Sequence, residues 1–148
     1  MNIVERAREF AIKVHGTQKY GKLPYEYHLQ QVVNKLMLWR DYDSFRITDE
    51  MLAAAWLHDV LEDTPVTHSQ LYQEFGDTVT TICYLLNKNN SLPYDFDYPK
   101  YIKEIKLCYE SKIVKMADTV ANLEASILSG ELKRVNKYSK QLALLTEV

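Results

Sequence analysis

The sequence predicts an all-α fold in a single domain, and three observations carry that expectation. Only four glycines and four prolines occur in 148 residues. The long stretches between them repeat apolar residues at helical spacing. A content of 47% hydrophobic and 26% charged residues is that of one globular domain with a sizeable core. Residues 1–148 therefore read as one domain, with sheet minor or absent.

The elements follow in order. Asn2, with Glu5 three residues on, reads as a helix N-cap, and Ile3, Val4, Ala7, Phe10, Ala11 and Val14 recur on one face up to a stop at Gly16. Thr17 to Tyr27 breaks the pattern with Gly21 and Pro24. Leu29, Val32, Val33, Leu36 and Met37 resume it, which sets His28 at the start of a second helix. Thr48 caps a third helix with Met51, Leu52, Ala55 and Trp56 on its apolar side. That helix is expected to run to Thr64-Pro65, because proline disfavours helical geometry in the residue before it. Thr67 and Gln70 form a capping box for a helix that reaches Gly76, and a fifth carries Val79, Ile82, Cys83 and Leu86. Asn87 to Pro99 reads as a loop and a candidate lid. Three last helices are expected over Tyr101 to Cys108, Lys112 to Leu128 with a stop at Gly130, and Glu131 onward.

Charge and cysteine usage narrow the function classes. A formal net charge of −2 offers no global attraction for nucleic acid, although lysine clusters can still hold a small phosphorylated ligand. Cys83 and Cys108 lack CxxC spacing, so they signal neither a disulfide framework nor a zinc-thiolate site. The longest fully apolar run, Met51 to Leu57, is far too short to span a bilayer. No nucleic-acid partner, no membrane partner and a cytoplasmic location are the resulting expectations.

Chemistry concentrates in Trp56-Leu57-His58-Asp59-Val60-Leu61-Glu62-Asp63-Thr64, where four metal-capable or acid-base side chains stand in an apolar segment. Burying such groups is costly unless they are paired, and a divalent cation pairs with all of them together. On a continuous helix His58 lies over Glu62 and Asp59 over Asp63. Adjacent residues point about 100° apart, so His58 and Asp59 share an ion only if it sits between their directions, and further ligands must come from other helices. His28 and Asp118 are the best-placed suppliers. Two histidines and two aspartates make a nitrogen-oxygen set suited to Mn, Fe, Zn or similar ions.

His15 and Gln18, Pro24-Tyr25-x-x-His28, Leu57-His58-Asp59-x-x-Glu62-Asp63-Thr64, Phe75-Gly76 and Lys115-x-Ala117-Asp118-x-x-x-Asn122-Leu123 occur in an order that resembles the HD-domain phosphohydrolases. The resemblance is strongest to the hydrolase domain of the RelA/SpoT family and to stand-alone small alarmone hydrolases. It runs from about residue 3 to residue 128. It implies an HD-type bundle whose metal, commonly Mn²⁺, is held by His28, His58, Asp59 and Asp118. Glu62 and Asp63 match the acidic pair that handles the attacking water and the leaving group. Asn122 matches a position that helps hold the nucleotide. The implied reaction is removal of the 3′-pyrophosphate from guanosine tetra- or pentaphosphate, (p)ppGpp.

The chain departs from that pattern at Gln18-Lys19-Tyr20-Gly21-Lys22-Leu23, where an Arg-Lys pair is usual, and at Leu86-Asn87-Lys88, where Leu-Thr-Lys is common. The usual basic side chain between Asp118 and Asn122 is also missing. Lys19, Lys22 and Lys115 are the expected phosphate contacts, Tyr20 is an expected substrate contact, and one of Tyr20, Tyr25 and Tyr27 is a candidate to stack on the base in place of the missing arginine. His15 reads instead as a helix-end imidazole with a hydrogen-bond partner, and His68 as a surface residue. A phosphatase acting on a deoxynucleoside monophosphate or NADPH is the rival enzyme. A non-catalytic nucleotide-binding protein is the rival of another class, disfavoured by the intact Glu62-Asp63 pair.

Overall fold

The computed structural model describes residues 1–42, 45–90 and 96–147. It is an all-α bundle: α1 (Ile3–His15), α2 (Tyr25–Tyr42), α3 (Asp49–Leu57), α4 (Val60–Asp63), α5 (His68–Leu86), α6 (Tyr98–Lys106), α7 (Tyr109–Ser129) and α8 (Leu132–Thr146). The expected caps are present. Asn2 Oδ1 accepts the Glu5 N–H at 2.9 Å, and Thr67 and Gln70 bond reciprocally at the start of α5.

Three boundaries differ from expectation, each for a local reason. Gly21, at φ 61°, lets the chain reverse within two residues, so Lys19–Tyr20 (β1) pairs antiparallel with Leu23–Pro24 (β2). The break therefore closes early, α2 starts at Tyr25, and His28 lies inside its first turn. The third helix stops at Leu57 and restarts at Val60, because Asp59 leaves helical geometry at φ −99°, ψ 0°. The single continuous ladder of His58 over Glu62 and Asp59 over Asp63 is thus interrupted at its base. The two helices expected on either side of Gly76 are present, since the chain leaves helical geometry there at a φ of 84° that only glycine adopts at ease, and α5 is bent at that point. Finally, α6 starts at Tyr98, with Asp97 as cap and Pro99 in the first turn, where a missing N–H costs nothing. Within the expected loop and candidate lid, Asn87 to Pro99, Lys88–Asn90 form a 3₁₀ turn, and residues 91–95 lie outside the described residues.

The core explains how the site is held. Helix α7 is central, packing against α2, α3, α5, α6 and α8. Its residues Ile113 to Thr119 are all buried, so polar side chains on it are presented to the interior. Helix α1 lies on α3, and both helices carry fully buried alanines, Ala7 and Ala11 on α1 and Ala53, Ala54 and Ala55 on α3. Leu29, Leu36, Leu57 and Leu71 are completely removed from solvent, and each such burial contributes about 1.5–3 kcal/mol. Cys83 and Cys108 are free thiols. Among the described residues no helix is long and apolar enough to cross a membrane.

Candidate active site

Three helix segments converge on one buried cluster. Helix α2 supplies His28, the break between α3 and α4 supplies His58 and Asp59, and α7 supplies Asp118. His58 Nδ1–H donates to the Ala55 carbonyl at 2.7 Å, which leaves the Nε2 lone pair aimed inward. That nitrogen lies 3.2 Å from Asp118 Oδ1 and 3.1 Å from Asp59 Oδ2, while His28 Nε2 lies 2.9 Å from the same Asp118 oxygen. One possible donor atom from each of His28, His58 and Asp118 falls within 4.8 Å of the others. The helix break gives this geometry its reach, because it brings the adjacent His58 and Asp59 side chains together where a straight helix separates them.

The electrostatics test whether a cation fits. Burial alone disfavours charge on His58, yet the carboxylates of Asp59 and Asp118 overcome it and hold the imidazole pKa well above its ordinary value. Lone pairs of a neutral imidazole and two carboxylates repel one another, so the cluster demands a positive charge at its centre. Two imidazoles with two carboxylates suit a divalent transition metal ion.

Asp118 is further secured. Its Oδ2 accepts from Lys115 Nζ at 3.1 Å and its Oδ1 from Asn122 Nδ2 at 3.2 Å. Burial opposes both charges of the Lys115–Asp118 pair, but their mutual attraction wins, raising the lysine pKa and holding the aspartate well below the usual range. Lys115, expected as a free phosphate contact, is therefore tied to a carboxylate.

The cluster opens into a polar cavity of about 190 Å³. Glu62 lines it, and its Oε1 accepts the Lys88 backbone N–H at 2.9 Å. Burial pushes the Glu62 pKa up in spite of that bond. Asp63 is exposed and does not line the cavity; its Oδ2 accepts from Gln18 Nε2 at 3.0 Å. Gln18 is in turn held by His15, whose Nδ1–H donates to Gln18 Oε1 at 2.8 Å, as the helix-end reading of His15 expects. His68 is exposed. Lys19 and Lys22 are exposed on the hairpin and do not line the cavity, whereas Tyr20 does.

Tyr20 is fixed on several sides. Its ring stacks on His28 with centroids 4.5 Å apart, its hydroxyl donates to Asn122 Oδ1 at 2.6 Å, and the Arg134 guanidinium stands 5.9 Å from its centroid. Arg134, Tyr138 and Gln141 from α8 line the same cavity and were absent from the expected set. Their spacing of four and three residues places them on one helix face, in line with buried Leu145. Polar residues in register with a core leucine are the signal that marks them.

No family model matches the sequence. The chain is 28% identical over 144 residues to a guanosine-3′,5′-bis(diphosphate) 3′-pyrophosphohydrolase of Aquifex aeolicus (strain VF5), a match covering 93% of this chain and 20% of that relative. It is 38% identical over 79 residues to the Danio rerio enzyme of the same name, MESH1, covering 52% of this chain and 44% of the relative. The chain thus spans less than half the length of these curated relatives. A solved structure described as a metazoan ortholog of SpoT that hydrolyzes ppGpp superposes with a TM-score of 0.81 at 21% identity, over 99% of this chain and 87% of the other. The fold is that of this neighbour.

Proposed function

We propose that this protein is a metal-dependent phosphohydrolase that removes the 3′-pyrophosphate from (p)ppGpp. The observation that carries the reading is the convergence of His28 and His58 on Asp118, with His28, Asp118 and Glu62 lining one polar cavity. The names of the relatives support the substrate. His28, His58, Asp59 and Asp118 hold the ion, taken as Mn²⁺. When bound, such an ion polarises a phosphoryl oxygen and makes a nearby water more acidic. Glu62, with its raised affinity for a proton, exchanges protons with the attacking water.

The remaining residues bind. Lys88 and Arg134 bring positive charge to the cavity that receives the polyphosphate, which Lys115 also lines while paired with Asp118. Tyr20 and Asn122 contact the nucleoside, and Lys19 and Lys22 attract the substrate from the exposed hairpin. The partner is a small nucleotide, and the location is cytoplasmic.

A nucleotide panel with separate pyrophosphate and phosphate readouts tests this function. Pyrophosphate from ppGpp is the expected product. Inorganic phosphate from a deoxynucleoside monophosphate or NADPH at a much higher kcat/KM selects the rival, and tight binding without turnover rejects an enzyme. Arg134→Ala is expected to raise KM for ppGpp roughly tenfold with a smaller change in kcat, because a charge-assisted contact is worth about 1.5–3 kcal/mol. Unchanged KM in steady-state kinetics removes Arg134 from the binding surface.

A further inference from the structure

Tyr25 opens α2 three residues before His28, so one helix end brings a phenol and an imidazole to the same cluster. The phenol O–H donates to Asp59 Oδ2, the oxygen that lies 3.1 Å from His58 Nε2. Among the described residues these are the two side-chain partners of the Asp59 carboxylate. The Tyr25 ring is itself wedged, with its centroid 4.7 Å from that of His15 and 5.7 Å from that of His28. Packing therefore fixes where the phenol sits, independently of the bond it makes. Asp59 lies at the backbone break, outside both flanking helices, so its side-chain direction is set by these partners.

A carboxylate oxygen offers two lone pairs. The Tyr25 proton occupies one on Oδ2 and leaves the other directed at the cluster. We propose that Tyr25 is a positioning residue of the metal centre, holding Asp59 as a one-oxygen ligand through its phenol hydrogen bond. This rests on the metal-site reading above. Without the phenol the carboxylate rotates between its oxygens, and ordering it falls to the ion. Partners of this kind contribute about 10- to 100-fold in metal affinity.

Tyr25→Phe isolates the hydrogen bond, since the ring and its packing remain. Metal-depleted wild type and Tyr25→Phe are titrated with Mn²⁺ while the electron paramagnetic resonance signal of free Mn²⁺ is followed, and both are melted with and without Mn²⁺. The expected result is a Kd for Mn²⁺ raised about 10- to 100-fold in the variant. Its metal-free melting temperature should stay close to that of wild type, with a smaller rise on adding Mn²⁺. A variant Kd within about twofold of wild type overturns the inference. Wild type that takes up no Mn²⁺ overturns the metal reading itself and this inference with it. If Tyr25→Phe does not fold, His15→Ala loosens the wedge while keeping the phenol. It is then expected to raise Kd several-fold, and an unchanged Kd in folded His15→Ala overturns the proposal.

Discussion

Asp118→Ala is expected to abolish metal binding and to lower the melting temperature by about 10 °C in the metal-free protein. The two effects have separate causes. Asp118 Oδ1 is the atom on which both imidazoles converge, so its loss opens the centre of the ligand set. Its other oxygen neutralises Lys115, a residue only 6% exposed. Removing one partner of a buried ion pair strands the other charge and costs about 3–5 kcal/mol. The double variant Asp118→Ala/Lys115→Met is accordingly expected to regain much of the stability while still failing to bind metal. Thermal melts and metal analysis on both proteins check this. An Asp118→Ala protein that melts like wild type, or that still carries an ion, contradicts it.

Glu62→Gln should behave in the opposite way, keeping the ion and the fold while losing turnover by about 10²- to 10⁴-fold. The amide preserves the shape of the side chain and an oxygen that can accept the Lys88 N–H, but it cannot carry the proton. The pH dependence adds a second signature. Burial displaces the Glu62 pKa upward, so its protonation step in the wild-type pH–rate profile belongs above the ordinary glutamate range. That step should vanish from the residual activity of Glu62→Gln. Retention of near-normal kcat, or of the same step, assigns the proton transfer to another group.

Much of this arrangement was legible in the chain because its signals are local. The Asn2, Thr48 and Thr67 caps, Gly130 as a left-handed stop and the apolar stripes are short-range properties of neighbouring residues, and they recur in the structure. The boundaries that shifted depend on longer-range terms. The His58–Asp59 break is stabilised by side chains from α2 and α7, which no window around residue 58 contains. For the same reason Lys115 read as a phosphate contact. Its pairing with Asp118 follows three-residue helical spacing, but its burial follows from the central position of α7. Arg134, Tyr138 and Gln141 are harder to read because α8 is mostly polar, and their register with Leu145 gains its meaning from the docking of α8 against α7. Glu62 and Asp63 are neighbours in sequence, yet one faces the cavity while the other is held by Gln18.

The most direct measurement is a titration of metal-depleted protein with Mn²⁺ during turnover of ppGpp, with pyrophosphate and the guanosine product quantified together. Pyrophosphate release, matched by an equal amount of guanosine 5′-diphosphate and saturating near one ion per chain, is the expected result. Full pyrophosphate release with excess chelator present, or no release at any Mn²⁺ concentration, contradicts the account.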